Sequence, residues 1–145
     1  MDLQQRLSIE AECRNLVMAF GRGMDDGDAA GASALFAKDG VWDRQGDLVT
    51  GPQAVRAAIE KRPKVRLTRH VFTNMVINVI DGDHAEGRAY YMVYLHDGPP
   101  PDGGPLPRPL SGPERVGDYI NKFVQTPEGW RISYNAAKRI FASGQ

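Results

Sequence analysis

His70 is the residue of this chain best placed to do proton chemistry. It lies near the start of the run Thr68-Arg69-His70-Val71-Phe72-Thr73-Asn74-Met75-Val76-Ile77-Asn78-Val79-Ile80, a long β-like stretch whose alternate side chains point to opposite faces. The even face carries His70, Phe72, Asn74, Val76 and Asn78. The odd face carries Val71, Thr73, Met75, Ile77 and Val79 and is nearly all apolar. A purely structural strand turns its polar residues to water. A face that combines an imidazole, an aromatic ring and two amides has the composition of a small-molecule pocket. A neutral imidazole is a natural base near neutral pH, and a positioned general base is worth roughly 10²–10⁴-fold in rate. The plainer reading of His70 is a strand histidine hydrogen-bonded to a neighbour, and that of Asn74 is a buried amide paired to backbone.

Helices precede this strand and strands follow it. Leu3, Leu7, Cys13, Val17, Phe20 and Met24 recur at three- and four-residue steps, apart from a gap near Glu10, and predict an amphipathic helix from about Leu3 to Met24. Asp25-Asp26-Gly27-Asp28 ends it, and Asp28 is placed to cap a short second helix through Phe36. A strand over Gly40–Asp43 turns at Gln45-Gly46 into Asp47–Thr50. Gly51-Pro52 opens a third helix, with Ala54, Val55, Ala58 and Ile59 as its buried stripe, and Pro63 stops it. The long strand then spans about Arg66–Ile80, and its partner runs from His84 to about His96 with Ala85, Gly87, Ala89, Tyr91, Val93 and Leu95 facing inward. Residues 97–113 are rich in proline and glycine and read as a loop, a candidate lid. Strands over Glu114–Gln125 and Trp130–Phe141 complete an α+β order rather than an alternating βαβ one.

Composition narrows the partners. A chain of 145 residues reads as one domain over 1–145. Lysine plus arginine and aspartate plus glutamate are both 18, a balance that argues against nucleic-acid binding and leaves little repulsion against self-association. Cys13 is the only cysteine, so neither an internal disulfide nor a multi-cysteine zinc site is expected. The histidines and carboxylates show no metal-ligand spacing, and no glycine-rich phosphate loop joins a strand to a helix, so neither a metal nor a cofactor is expected. The N-terminus lacks the pattern of a signal peptide and no apolar run approaches the roughly 20 residues of a membrane span, so the default expectation is a soluble cytoplasmic protein. Lys61, Arg62, Lys64, Arg66 and Arg69 read as a solvated basic surface, with an anion site as the lesser reading.

The order of these pieces resembles SnoaL-like members of the NTF2-like superfamily. The matching stretches are Phe20 to Asp28, Leu35 to Asp43, the helix opened by Gly51-Pro52, Arg69-His70 with Asn74, and Gly129-Trp130-Arg131-Ile132. The resemblance implies an NTF2-like cone, with about three N-terminal helices packed on a strongly curved mixed β-sheet. Within the superfamily the chain is similar to scytalone dehydratase, bile-acid 7α-dehydratase and hexachlorocyclohexane dehydrochlorinase. Those enzymes pair an aspartate at the end of the first helix with a histidine on the long strand, positions that fall on Asp25 and His70. The dehydrochlorinase also shares the spacing of His70 to Thr73-Asn74. Phe20 stands where some relatives carry a tyrosine or lysine, and Asn135 where an arginine is common. A second catalytic histidine of scytalone dehydratase falls near Leu95, one residue from His96.

The resemblance implies that Asp25 holds the His70 tautomer and stabilises the imidazolium once the ring takes a proton. The expected activity is that of a cofactor-independent lyase, by dehydratase-type elimination or deformylation, on a hydrophobic cyclic or aromatic small molecule. A ketosteroid-isomerase-like proton transfer and a non-catalytic small-molecule-binding domain are the alternatives. Phe20, Met24, Trp42, Phe72, Asn74, Tyr91, Val93, Tyr119 and Asn135 are the expected substrate contacts. A homo-oligomer, dimer or trimer, is expected, with the odd face of residues 71–79 covered by another subunit.

Overall fold

The computed structural model describes residues 1–98 and 105–144. Helix α1 (Leu3–Asp26) starts on a capping box: Asp2 accepts the Gln5 backbone N–H at 2.8 Å, and the Gln5 side chain accepts the Asp2 N–H at 2.9 Å. It ends where Gly27 takes a left-handed φ of 70°, which leaves Asp25 in the last turn. Asp28 caps α2 (Ala29–Ser33) by accepting the Gly31 N–H at 2.9 Å. Strands β1 (Phe36–Arg44) and β2 (Asp47–Thr50) form the predicted hairpin. Helix α3 (Pro52–Glu60) follows, then β3 (Leu67–Val79), β4 (His84–His96), β5 (Arg115–Thr126) and β6 (Gly129–Ala142).

These strands make one six-stranded sheet in the order β2-β1-β6-β5-β4-β3. β1 runs parallel to β6 and every other neighbour is antiparallel. The three helices pack on this curved mixed sheet, as the α+β reading expects. The buried stripe of α1 is Ile9, Cys13, Leu16, Val17 and Phe20. Leu3 and Leu7 are exposed, because the position four residues before Cys13 is Ile9, whereas Leu7 is about a third of a turn away. Phe20 meets Phe36 and Trp42 edge-on, with ring centroids 5.1 and 5.5 Å apart, which seats the helix over the β1 side of the sheet. On the β3 side the helix touches through a glycine. A Cβ at Gly21 would lie 2.6 Å from the Phe72 ring and 3.4 Å from the His70 Cβ, so only glycine lets α1 come this close to β3.

The alternation of β3 does not run unbroken. Its register against β4 shifts between Thr73 and Val76, and Asn74 has a φ of 52°, the left-handed region that asparagine tolerates better than most residues. His70 and Phe72 turn inward before this bulge; Met75, Ile77 and Val79 turn inward after it, while Asn74, Val76 and Asn78 are exposed. The expected single inward face therefore ends at Phe72. The odd face does not wait for another subunit to cover it: beyond the bulge it packs into this chain's own core. β4 keeps the predicted alternation, with Ala85, Gly87, Ala89, Tyr91 and Val93 buried. No helix among the described residues is long and apolar enough to cross a membrane.

Candidate active site

Asp25 and His70 come together where the last turn of α1 lies against the start of β3. Asp25 Oδ1 accepts the Thr68 hydroxyl at 2.8 Å and lies 2.6 Å from His70 Nδ1. Asp25 Oδ2 accepts the His70 backbone N–H at 2.9 Å. The two side chains are only 9% and 13% exposed. Burial alone would raise the Asp25 carboxyl, but its hydrogen bonds to His70 and Thr68 and the charge interaction with His70 hold it below the ordinary carboxylate value. An ionised carboxylate only accepts, so Nδ1 carries a ring proton, and in the neutral ring that tautomer puts the lone pair on Nε2.

A cavity of about 340 Å³ lies on the sheet side of His70, lined among others by Phe20, Met24, Trp42, Tyr91, Val93 and Tyr119, all expected contacts. A second, outer depression of about 610 Å³ between α1 and β3 includes Met18, Arg22, Arg69 and Val71. His70 borders both, but Asp25 borders only the outer one. His70 thus stands between the two, with Asp25 on its outer side. Tyr91 lines that cavity with its hydroxyl buried and without a hydrogen-bond partner. Burial pushes its phenol up, and burial pushes that of Tyr119 up further, so both are neutral O–H groups at physiological pH.

Three expected contacts lie elsewhere. Phe72 does not line the inner cavity; its ring packs 4.7 Å from that of Tyr119. Asn135 is fully buried and donates to Asn121 Oδ1 at 2.7 Å, a bond that ties β6 to β5. Asn74, past the bulge, borders an outer depression with Val76, Arg88 and Tyr90. Leu95 lines the inner cavity and His96 does not. The lid expected over 97–113 includes residues 99–104, which lie outside the described residues.

Several cavity residues escaped the sequence reading. Thr68 shares the face of His70 two residues earlier. Arg115 shares the face of Tyr119 and Arg139 that of Asn135, four residues along each strand, so simple alternation from residues already chosen points to all three. Arg62 and Arg66, read as solvated surface, also line the cavity. Lys61, Lys64 and Arg69 are exposed, as that reading expected.

The SnoaL-like domain family matches residues 5–135, nearly the whole chain. The protein belongs to the SnoaL-like family. Among solved structures, this SnoaL-like chain is similar to an NTF2-like protein with a cystatin-like fold from Novosphingobium aromaticivorans, at 25% identity and TM-score 0.73, covering 99% of this chain and 92% of that one. A provisionally assigned scytalone dehydratase from the same organism aligns with TM-score 0.78 at 15% identity over 99% and 92% of the two chains. A hexachlorocyclohexane dehydrochlorinase (LinA) type 2 aligns with TM-score 0.77 at 14% identity over 97% and 90%. At such identities the last two establish the shared fold, the NTF2-like one. No curated protein matches the sequence.

Proposed function

We propose that this SnoaL-like protein is a cofactor-independent lyase that acts on a hydrophobic cyclic or aromatic small molecule, with His70 as base and Asp25 as its orienting partner. The observation that carries this reading is the His70 Nδ1–Asp25 contact of 2.6 Å at the edge of a cavity lined in part by apolar side chains. The family membership and the dehydratase and dehydrochlorinase among the fold relatives support a lyase.

In an elimination, His70 Nε2 takes a proton from substrate carbon. The C–H electron pair becomes the new double bond, and the bond to the leaving oxygen or halogen breaks. The positive charge on the ring is stabilised by Asp25. The unpartnered Tyr91 hydroxyl is a donor for a leaving oxygen. Deformylation of a 1,3-diol uses the same base on one hydroxyl proton: the O–H pair becomes the carbonyl of formaldehyde, the C–C pair becomes the new double bond, and the second hydroxyl leaves as water with a proton from a donor such as Tyr91. The same Tyr91 donor would polarise a ketone and so also favours the isomerase alternative. Hydroxylated alicyclic and aryl compounds, screened for new conjugated absorbance, for released formaldehyde and for double-bond migration by NMR, separate these outcomes. A new conjugated alkene or formaldehyde is expected. Double-bond migration without loss of atoms would assign the isomerase.

We also propose that the protein forms a homo-oligomer. Val76 and Tyr90 are 66% and 55% exposed on the outer sheet face, where they share a depression with Asn74 and Asp118, and exposed apolar groups gathered in one patch mark contact surfaces. Light scattering coupled to size exclusion is expected to give a dimer or trimer at micromolar concentration. Val76→Lys is expected to shift it to monomer. A monomeric wild type would contradict this assembly.

A further inference from the structure

The cavity beside His70 is lined by apolar side chains and by charged ones in which five arginines outnumber two carboxylates, Asp43 and Asp47. Arg44, Arg62, Arg66, Arg115 and Arg139 all line it, brought there by β1, the α3–β3 connection, β5 and β6. Two of the five have carboxylates of their own. Arg66 is held by both oxygens of Asp97 at 2.8 Å. Arg44 lies over the Trp42 ring at 4.9 Å and reaches Asp47 at 4.0 Å.

The other three are poorly matched by acids. Arg62 donates to a neutral group, the Met24 carbonyl, at 2.9 Å. Arg115 lies no closer than 3.5 Å to the Glu114 carboxylate, and its Nε is buried with no acceptor. Arg139 has no ion-pair partner among the described residues. Burial first, and then the charges of neighbouring arginines, pull Arg62 and Arg115 below the ordinary guanidinium value, and the opposing charges of Asp25 on Arg62 and Glu114 on Arg115 do not restore it. Like charges held together away from water destabilise one another. A bound anion would remove that repulsion, and the planar forks of arginine match the oxygens of carboxylates and phosphates.

We propose that the molecule taken by this site carries an oxyanion, a carboxylate or a phosphate ester, seated among Arg62, Arg115 and Arg139 while its ring lies on the apolar side chains beside His70. The inference rests on the reading of this cavity as the substrate pocket, and it adds the substrate's charge class. The volume of about 340 Å³ suits a compact ring compound with one such group, at the small end of ligand pockets. It also gives the anion a task beyond affinity: fixing the end of the molecule remote from the reacting carbon orients that carbon toward the base.

Calorimetric titration of the full chain with 3-phenylpropanoate, phenyl phosphate and the neutral 3-phenylpropan-1-ol tests this. At least one anion is expected to bind about 10-fold or more tighter than the alcohol, the scale of one charge-assisted fork. Preference for the propanoate assigns a carboxylate substrate, and preference for phenyl phosphate a phosphate ester. Arg115→Gln is expected to erase most of the preference. Arg139→Gln, at an exposed position, is expected to reduce it without disturbing the fold. Equal binding of the alcohol, no detectable binding of either anion at millimolar concentration, or an undiminished preference in both variants would overturn the proposal. His70→Gln separates it from the catalytic reading. The anion preference should survive in that variant whether or not turnover does, so loss of turnover without any anion preference would leave the base in place and remove the oxyanion subsite.

Discussion

Replacing His70 with alanine is expected to lower kcat/KM by roughly 10²–10⁴-fold, the range a positioned general base supplies, and the effect should fall mainly on kcat. Asp25→Asn is expected to cost a comparable factor. The amide keeps the size of the carboxylate but has one acceptor oxygen where the carboxylate has two, whereas Thr68 Oγ1, His70 N and His70 Nδ1 all converge on Asp25. It turns an N–H toward one of those donors and favours the wrong imidazole tautomer. Because the pair acts as a unit, the double variant should be hardly slower than the worse single one. Steady-state kinetics on a substrate found by the screen, with circular dichroism to establish that each variant is folded, checks the expectation. Additive losses in the double variant would mean that the two residues act independently.

The largest effect on stability is expected at Gly117 rather than at the dyad. Gly117 faces a bulge, where the β5–β6 register shifts between Val116 and Gly117. A Cβ there would stand 2.0 Å from the Lys138 carbonyl oxygen and 3.0 Å from the Ile140 nitrogen. Both obstacles are backbone, so no side-chain rotation relieves them and the strands must part. Gly117→Ala is expected to destabilise the protein by about 3 kcal/mol, the upper part of the range for overpacking, and to lower Tm by roughly 6–12 °C for a chain of this size. Thermal and urea unfolding measure this. A change within about 0.5 kcal/mol, the range of an ordinary surface substitution, would show that the bulge accommodates a methyl. The same bulge lies between Arg115 and Arg139, so anion binding should weaken together with stability.

Much of this architecture is readable from local chemistry. The capped turn at Asp28, the Gln45-Gly46 hairpin and the Gly51-Pro52 helix start all follow from turn and cap residues, and β4 keeps its period of two throughout. The His70–Asp25 pairing was legible only through the family resemblance, because 45 positions separate the two and nothing in the spacing of a helix end and a strand start dictates contact. The failures gather at bulges. No glycine marks the break at Asn74, so an unbroken alternation carries Asn74 onto the inward face that the real strand leaves after Phe72. Likewise a run of basic residues between a helix and a strand looks like a solvated surface. What holds Arg62 and Arg66 at the cavity are partners distant in sequence, the Met24 carbonyl for one and Asp97 for the other, and a local reading does not see them.

Tautomer and orientation of the His70 ring are the centre of the mechanism, and ¹⁵N NMR of histidine-labelled protein near neutral pH reads both. The expected result is an Nδ1–H tautomer for His70, with a strongly deshielded ring proton shared with Asp25 and an unprotonated Nε2 that shifts when a ligand enters the cavity. The proton signal should vanish in Asp25→Asn. An Nε2–H tautomer in the wild type, or a His70 spectrum unchanged by Asp25→Asn, would contradict the dyad and with it the proposed proton transfer.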